Sequence, residues 1–187
     1  MTNTFTMKVN SKQGSPKFKD SDLENIFLEG IEQNKQKLLR ICSAYANDEE
    51  EKKDLFQEVL VNIWKSMHSF KGKSAISTWM YRVTLNVCIN VQTKLSKKKK
   101  QFISMDSVTL ARYEKQTSGV EEESPLLQYL RSCIKAMNES DRAVIALYLE
   151  ELPYKEISEV TGLTENNVAV KIKRMKTKLL NCINEKS

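Results

Sequence analysis

The sequence predicts an all-α protein: two small helical domains joined by a flexible linker. Three observations carry that prediction. Apolar residues recur at steps of three and four along most of the 187 residues. Only five Gly and three Pro are present, too few for a β-sandwich, a barrel or a Gly-rich nucleotide fold. The periodicity lapses once, over residues 96–123, and then resumes.

In chain order, residues 1–20 hold Gly14, Ser15 and Pro16 among polar residues and read as a flexible N-terminal tail. From Ser21, which has capping-box spacing to Glu24, a first helix carries Leu23, Ile26, Phe27, Ile31, Leu38, Ile41 and Tyr45 on one side. Asn47 and Asp48 break it and cap a second helix bearing Leu55, Val59, Ile63 and Trp64. Phe70 to Ser74 form a loop, and a third helix runs over residues 76–95 with Trp79, Met80, Val83 and Val87 on one side. Residues 96–123 open with the charge block Lys97 to Lys100, close with Glu121 to Glu123, and form the linker. Ser124-Pro125 restarts the helical pattern as N-cap and first-turn proline. Further helices are expected over 125–137, 140–150, 154–161 and 165–183. The domains are therefore residues 21–95 and 124–187.

Thirty Lys and Arg against 24 Asp and Glu leave a net charge of +6, which favours polyanionic partners. The excess is local. Residues 94–100 carry five Lys and no acid, and residues 164–187 carry six basic and two acidic groups, so the remainder is net acidic. A single histidine, His68, excludes a site built on several His ligands. There is no nucleophile–base pair, phosphate loop or metal-ligand spacing, so no enzyme activity, cofactor or metal is expected. Cys42, Cys88, Cys133 and Cys182 lie far apart in apolar stretches without a CxxC pair. They are expected to be small buried hydrophobes in a reducing cytoplasm. No run approaches the ~18 apolar residues of a membrane span, and the polar N-terminus lacks a signal-peptide core. A cytoplasmic protein without membrane insertion follows.

Residues 154–173 fit a helix-turn-helix. Ser158 is small where the two helices cross, Gly162 suits a positive-φ turn, and Ile157, Leu163, Val168 and Ile172 fall at the apolar contacts. Thr164 can cap the second helix, which has no acidic residue between Asn166 and Leu180. In a major groove, Glu165, Asn166, Asn167, Val170 and Lys171 would approach base edges. Lys173, Arg174 and Lys178 would meet phosphates, which set position and salt dependence but not sequence.

The N-terminal half adds two blocks. Asp54-Leu55-Phe56-Gln57-Glu58-Val59, followed by Ile63-Trp64, sets Asp54, Gln57, Glu58 and Val61 along one side of a helix. Phe70-Lys71-Gly72-Lys73-Ser74-Ala75-Ile76-Ser77-Thr78-Trp79-Met80-Tyr81-Arg82-Val83, with Asn86 beyond, interleaves aromatic and basic groups. That mixture suits single-stranded DNA: π-faces for unstacked bases and cations for phosphates.

Together with the helix-turn-helix, these blocks closely resemble the extracytoplasmic-function (ECF) class of bacterial RNA polymerase sigma factors. The resemblance spans about residues 22–95 and 125–183. It implies a sigma region 2-like helical bundle, a sigma region 4-like helix-turn-helix, and a connector in place of region 3. Its partners would be core RNA polymerase, promoter DNA and, as for many family members, an anti-sigma factor. Asp54, Gln57, Glu58 and Trp64 would bind the clamp coiled coil of the largest polymerase subunit. The C-terminal domain would meet the flap of the second-largest subunit.

Phe70, Lys73, Trp79, Tyr81, Arg82, Asn86 and Lys94 would capture the melted −10 strand. Phe70 would wall a pocket for a flipped base with Asn86 as its hydrogen-bonding partner, while Lys73, Arg82 and Lys94 track the strand. Trp79 sits on the apolar side, where core packing competes with stacking, and Tyr81 stands between the two roles. Thr164, Glu165, Asn166, Asn167, Val170, Lys171, Lys173, Arg174 and Lys178 would contact the −35 duplex.

The sequence departs from the family pattern at Ile76, where an aromatic is usual, and at Asn166-Asn167-Val168 in place of Gly-Thr-Val. Lys171 replaces a common Arg and cannot form Arg's planar two-bond contact with guanine. Val91 falls near a frequent acidic position. The linker either threads the RNA exit path, as family connectors do, or acts as a solvated tether. The competing reading of the whole chain is a stand-alone helix-turn-helix regulator that binds duplex DNA without polymerase.

Overall fold

Helix boundaries follow local chemistry throughout the computed structural model, which describes residues 20–103 and 124–185, with backbone alone at residues 20–21 and 95–103. Residues 1–19 of the expected tail, most of the linker including Glu121 to Glu123, and the side chains of Lys97 to Lys100 lie outside the described residues.

Helix α1 spans Asp20–Ser43 and α2 spans Glu49–Ser66. The Asp48 side chain accepts the Glu51 N–H at 2.8 Å, and the Glu51 carboxylate accepts the Asn47 N–H at 2.6 Å. This reciprocal pair starts α2, after α1 has already ended at Ser43. A single 3-10 turn, Met67–Ser69, leads through the loop to α3 at Ile76–Ile103. In the C-terminal half, α4 is Pro125–Lys135, α5 Glu139–Leu149, α6 Tyr154–Thr161 and α7 Glu165–Asn184. Among the described residues there is no strand.

Two expectations shift. Helix α1 begins at Asp20, so Ser21 lies inside it rather than capping it. Helix α3 continues well past residue 95 into the charge block. Lys and Gln are good helix formers, and no Gly or Pro interrupts residues 95–103.

Helices α1, α2 and α3 pack around Leu38, Ile41, Tyr45, Val59, Ile63, Met67 and Met80, none more than 1% exposed. Gly30 lets α1 and α3 approach: a Cβ there would lie 2.6 Å from Met80 Cε. In the second half α7 packs against α4, α5 and α6 through Val168, Ile172 and Met175, which meet Val144, Ile145, Leu147 and Ile157 in one buried cluster. Each such side chain contributes about 1.5–3 kcal/mol by burial, and the buried residues of the two halves join in one cluster.

The halves also touch, α3 against α6 and α1 against α5. The cysteine expectation holds for Cys42 and Cys88, which are buried and free. It fails for Cys133 and Cys182, which are disulfide-bonded across α4 and α7. Forty-nine residues separate them in sequence, and only the packing of those two helices brings them together. Among the described residues, no helix is long and apolar enough to cross a membrane.

Candidate nucleic-acid interface

Three surfaces collect the residues singled out above. On α2, Leu55, Phe56, Val59 and Ile63 face the core, which turns the Asp54, Gln57 and Glu58 side outward. These three, with Val61, Asn62 and Lys65, line a shallow groove. Trp64 is 47% exposed and stands edge-on to Phe27, ring centroids 5.1 Å apart. The result is an acidic and amide rim beside a half-exposed indole, a surface suited to a basic or polar helix.

The second surface is the loop and first half of α3. Phe70 is half-buried with its ring 5.4 Å from that of Trp79, which in turn packs on the core. Trp79 therefore belongs chiefly to the packing that holds Phe70. Lys73, Arg82, Asn86 and Lys94 are exposed, with Arg82 and Asn86 one helical turn apart.

Tyr81 is not part of this surface. It is 2% exposed, its hydroxyl donates to Asn34 Oδ1 at 2.6 Å, and the Asn34 amide donates to the Gly30 carbonyl at 2.8 Å. Burial pushes the Tyr81 phenol far above its ordinary pKa, aided by the charges of Glu156 and Glu150. Tyr81 thus fixes the packing of α3 on α1 and offers no ring to a strand. Its replacement by Phe strands the Asn34 oxygen, so urea denaturation of Tyr81→Phe is expected to show a loss of about 1–3 kcal/mol. An unchanged midpoint would mean that the hydroxyl does not hold the fold.

The third surface is the helix-turn-helix. The Gly162 backbone has φ +75° and closes α6, its N–H donating to the Ser158 carbonyl at 2.8 Å. The Thr164 hydroxyl accepts the Asn167 N–H at 3.2 Å and starts α7. Glu165, Asn166, Asn167, Lys173 and Lys178 are exposed, and Val170 is 60% exposed.

Lys171 and Arg174 are placed differently from the sequence reading. Lys171 Nζ donates to Asp141 Oδ1 at 2.6 Å, and Arg174 Nη2 reaches both Asp141 oxygens at 3.3 Å. Asp141 is 1% exposed and needs these cations because a buried carboxylate without partners is costly. Lys171 is thus tied to the α5 framework, while Glu165, Asn166, Asn167 and Val170, expected with it at base edges, are exposed. Lys176, on the same basic face of the sequence but assigned no DNA contact, has its Nζ 4.7 Å from the Tyr148 ring centroid.

Burial raises the Asp141 pKa, but hydrogen bonds from Lys171 and Asn138 and the charges of Lys171 and Arg174 outweigh it and hold the carboxyl below the ordinary value of 3.8. A depressed folded pKa contributes stability that is fully present above the unfolded value and lost as pH falls through the folded one. Wild type should therefore be more stable than Asp141→Asn at pH 7, with the gap in thermal midpoint closing below about pH 4. A gap that does not depend on pH would remove the charge from the account.

Asn34 and Asp141 carried no signal as site residues in sequence. The Asn138-x-x-Asp141 spacing marks a helix start, but not the link to α7 thirty residues on.

An acidic groove on α2, an aromatic and cationic loop–helix, and a capped basic helix at the end of a helix-turn-helix make up a two-module helical protein with the surfaces of a DNA-binding protein. The comparisons agree. Residues 31–99 match the family described as Sigma-70 region 2, and residues 127–179 match Sigma-70, region 4. The chain is 25% identical over 162 residues to the ECF RNA polymerase sigma factor SigW of Bacillus subtilis, covering 81% of this chain and 85% of SigW. It is 26% identical over 148 residues to the RNA polymerase sigma factor YlaC of the same organism, covering 77% and 84%. A shorter match, 34% over 55 residues, joins 29% of this chain to 15% of the ECF RNA polymerase sigma factor SigG of Mycobacterium tuberculosis, so the chain spans a small part of that relative.

Among solved structures, CnrH in complex with the cytosolic domain of CnrY gives a TM-score of 0.61 at 16% identity, covering 88% of this chain and 91% of that one. Sigma factor RpoE of Bartonella quintana, in complex with the anti-sigma factor NepR, gives 0.61 at 16%, covering 88% and 98%. Both share the fold. The chain belongs to the ECF class of sigma-70-type RNA polymerase sigma factors.

Proposed function

We propose that this protein is a dissociable, non-catalytic subunit of bacterial RNA polymerase that directs promoter-specific initiation from the cytoplasm. The observation that supports it most is the order of the two matched regions on one chain, each carrying its own exposed contact surface. The α2 rim of Asp54, Gln57 and Glu58, with Trp64 beside it, docks on the clamp coiled coil of the largest subunit. The flap of the second-largest subunit meets the C-terminal module. Phe70 walls a pocket for a flipped −10 base, Asn86 bonds it, and Lys73, Arg82 and Lys94 follow the phosphates; Trp79 and Tyr81 hold this surface from behind. Thr164, Glu165, Asn166, Asn167 and Val170 read the −35 duplex with Lys173 and Lys178 on its phosphates. Arg174 shares itself between Asp141 and the backbone, and Lys171 sets the pose of α7.

A phosphate contact changes affinity on every sequence alike. Lys178→Ala is expected to weaken duplex binding uniformly and to lower the slope of log affinity against log salt by about 0.9. A change in one base preference alone would place Lys178 at a base edge instead.

Selection from sheared genomic DNA tests the function. The proposal expects specific fragments to be enriched only when core polymerase is present, because two tethered weak readers need core to fix their spacing. Enrichment of two-fold sites by the protein alone would establish the stand-alone regulator. A complex with an anti-sigma factor, of the kind solved for the Bartonella protein, remains open to capture by affinity purification.

A further inference from the structure

Two cysteine pairs each join the first helix of a module to its last, and they differ in state. Cys42 on α1 and Cys88 on α3 are free thiols, both 0% exposed. The hydrogen bond with Cys42 and burial push the Cys88 thiol well above its ordinary pKa. A thiol held and sealed in this way is inert. Cys133 on α4 and Cys182 on α7 are disulfide-bonded, and this pair reaches the surface. Cys133 is 3% exposed while Cys182 is only half-buried. Both line an open cleft, with Asn138, Asp141 and Lys178.

That cleft ties the bond to the recognition helix. Asn138 Oδ1 accepts the Asp141 N–H at 2.9 Å and so starts α5, and Asp141 in turn holds Lys171 and Arg174 of α7. Lys178 stands one turn before Cys182 in α7. Its cation favours a thiolate at Cys182, whereas the Asp141 carboxylate is already paired with its two cations. The disulfide clamps the last turns of α7 to α4 beside the carboxylate that orients the middle of α7. With the bond open, Ile172, Met175 and Leu179 still anchor α7 in the core, but its C-terminal turns are free of α4.

We infer that Cys133–Cys182 is an exchange site for small thiols, with Cys182 the sulfur attacked, and that its closure holds α7 for duplex binding. A glutathione-class thiolate attacks Cys182 Sγ, forming a mixed disulfide and expelling Cys133 as a thiolate. A second thiolate attacks the mixed disulfide, leaves as part of the small disulfide and frees Cys182. The protein gains two electrons, and its two thiolates take up protons. Closure uses hydrogen peroxide. The Cys182 thiolate gains an oxygen atom as hydroxide leaves, and the Cys133 thiolate then displaces that oxygen as a second hydroxide, restoring the bond. Where thiols of this class are abundant, a disulfide is transient or sensing rather than permanent. The hold on α7 rests on the −35 role proposed above; the exchange chemistry does not.

The test uses the full chain in glutathione buffers of graded thiol-to-disulfide ratio, with free thiols trapped by N-ethylmaleimide and assigned by peptide mass spectrometry. Cys133 and Cys182 should open together within the range of a reducing cytosol, while Cys42 and Cys88 stay unlabelled. In Cys133→Ala, glutathione should persist on Cys182, because no second thiol expels it. In Cys182→Ala, Cys133 should take up at least about tenfold less. Circular dichroism establishes that each variant is folded. On reduction of wild type, the thermal midpoint of the C-terminal half should fall by about 10 °C. Affinity for a fluorescein-labelled duplex of mixed sequence should fall about tenfold, as only a fraction of chains holds α7 in place. Cys133→Ala should give the reduced values in every buffer. A bond that stays closed across the whole range overturns the inference, and so does glutathione on Cys133 in preference to Cys182. Unchanged duplex affinity on reduction overturns the hold on α7. Duplex binding in neither state, with exchange at Cys182 and a falling midpoint, would sink the −35 role and leave the exchange site standing.

Discussion

Reversing Asp54 and Glu58 to Lys together is expected to reduce affinity for core RNA polymerase by at least about 100-fold, since like charges across an interface are strongly unfavourable. Both side chains are exposed on α2, and neither is among the core residues Leu55, Phe56, Val59 and Ile63. Folding stability should therefore stay within about 0.5 kcal/mol of wild type. Competition against labelled wild-type protein for a limiting amount of core measures the effect. Urea denaturation and duplex binding through α7 supply the controls. Unchanged competition would move the docking surface elsewhere on the chain.

The second large effect is structural and reaches function through one module. Ile157 is fully buried in α6 and belongs to the cluster that includes Val168 and Ile172 of α7. Truncation to Ala removes transfer energy and leaves a cavity, costing about 2–5 kcal/mol. A domain of this size holds only a few kcal/mol in reserve, so the helix-turn-helix should lose its fold near physiological temperature. Chemical denaturation should show the C-terminal half melting early while α1 to α3 remain cooperative. Binding to core through α2 should survive with −35 recognition lost. A single late transition in the variant would show that the two halves unfold as one unit.

What the sequence made legible is what is encoded locally. Asp48, Ser124-Pro125, Gly162 and Thr164 each act on backbone groups within four residues, and each occupies its expected cap or turn. The exposed faces of α2 and α7 were readable for the same reason, because helical period assigns sides. What escaped depends on partners distant in the chain. Lys171 and Arg174 look like a free basic face until Asp141, thirty residues earlier, arrives beneath them. Tyr81 stood between core and surface by period, and Asn34 on α1 decides it for the core. Cys133 and Cys182 show neither CxxC spacing nor proximity in sequence. The contact between the halves, Arg40 with Glu150 and Thr78 with Glu156, has no signature, since nothing in composition says whether two tethered modules will pack. The extension of α3 was missed because a run of lysines reads as charge before it reads as helix propensity.

The central claim is that this chain gives core RNA polymerase its promoter specificity through two separate DNA-reading modules. Reconstitution with purified core on a genomic library, followed by mapping of transcript 5′ ends, tests it most directly. The account predicts a discrete set of start sites, absent with core alone, that share two sequence elements at fixed spacing. It also predicts that they vanish with the Asp54→Lys, Glu58→Lys protein. Start sites no different from those of core alone, with tight duplex binding by the protein itself, would contradict it.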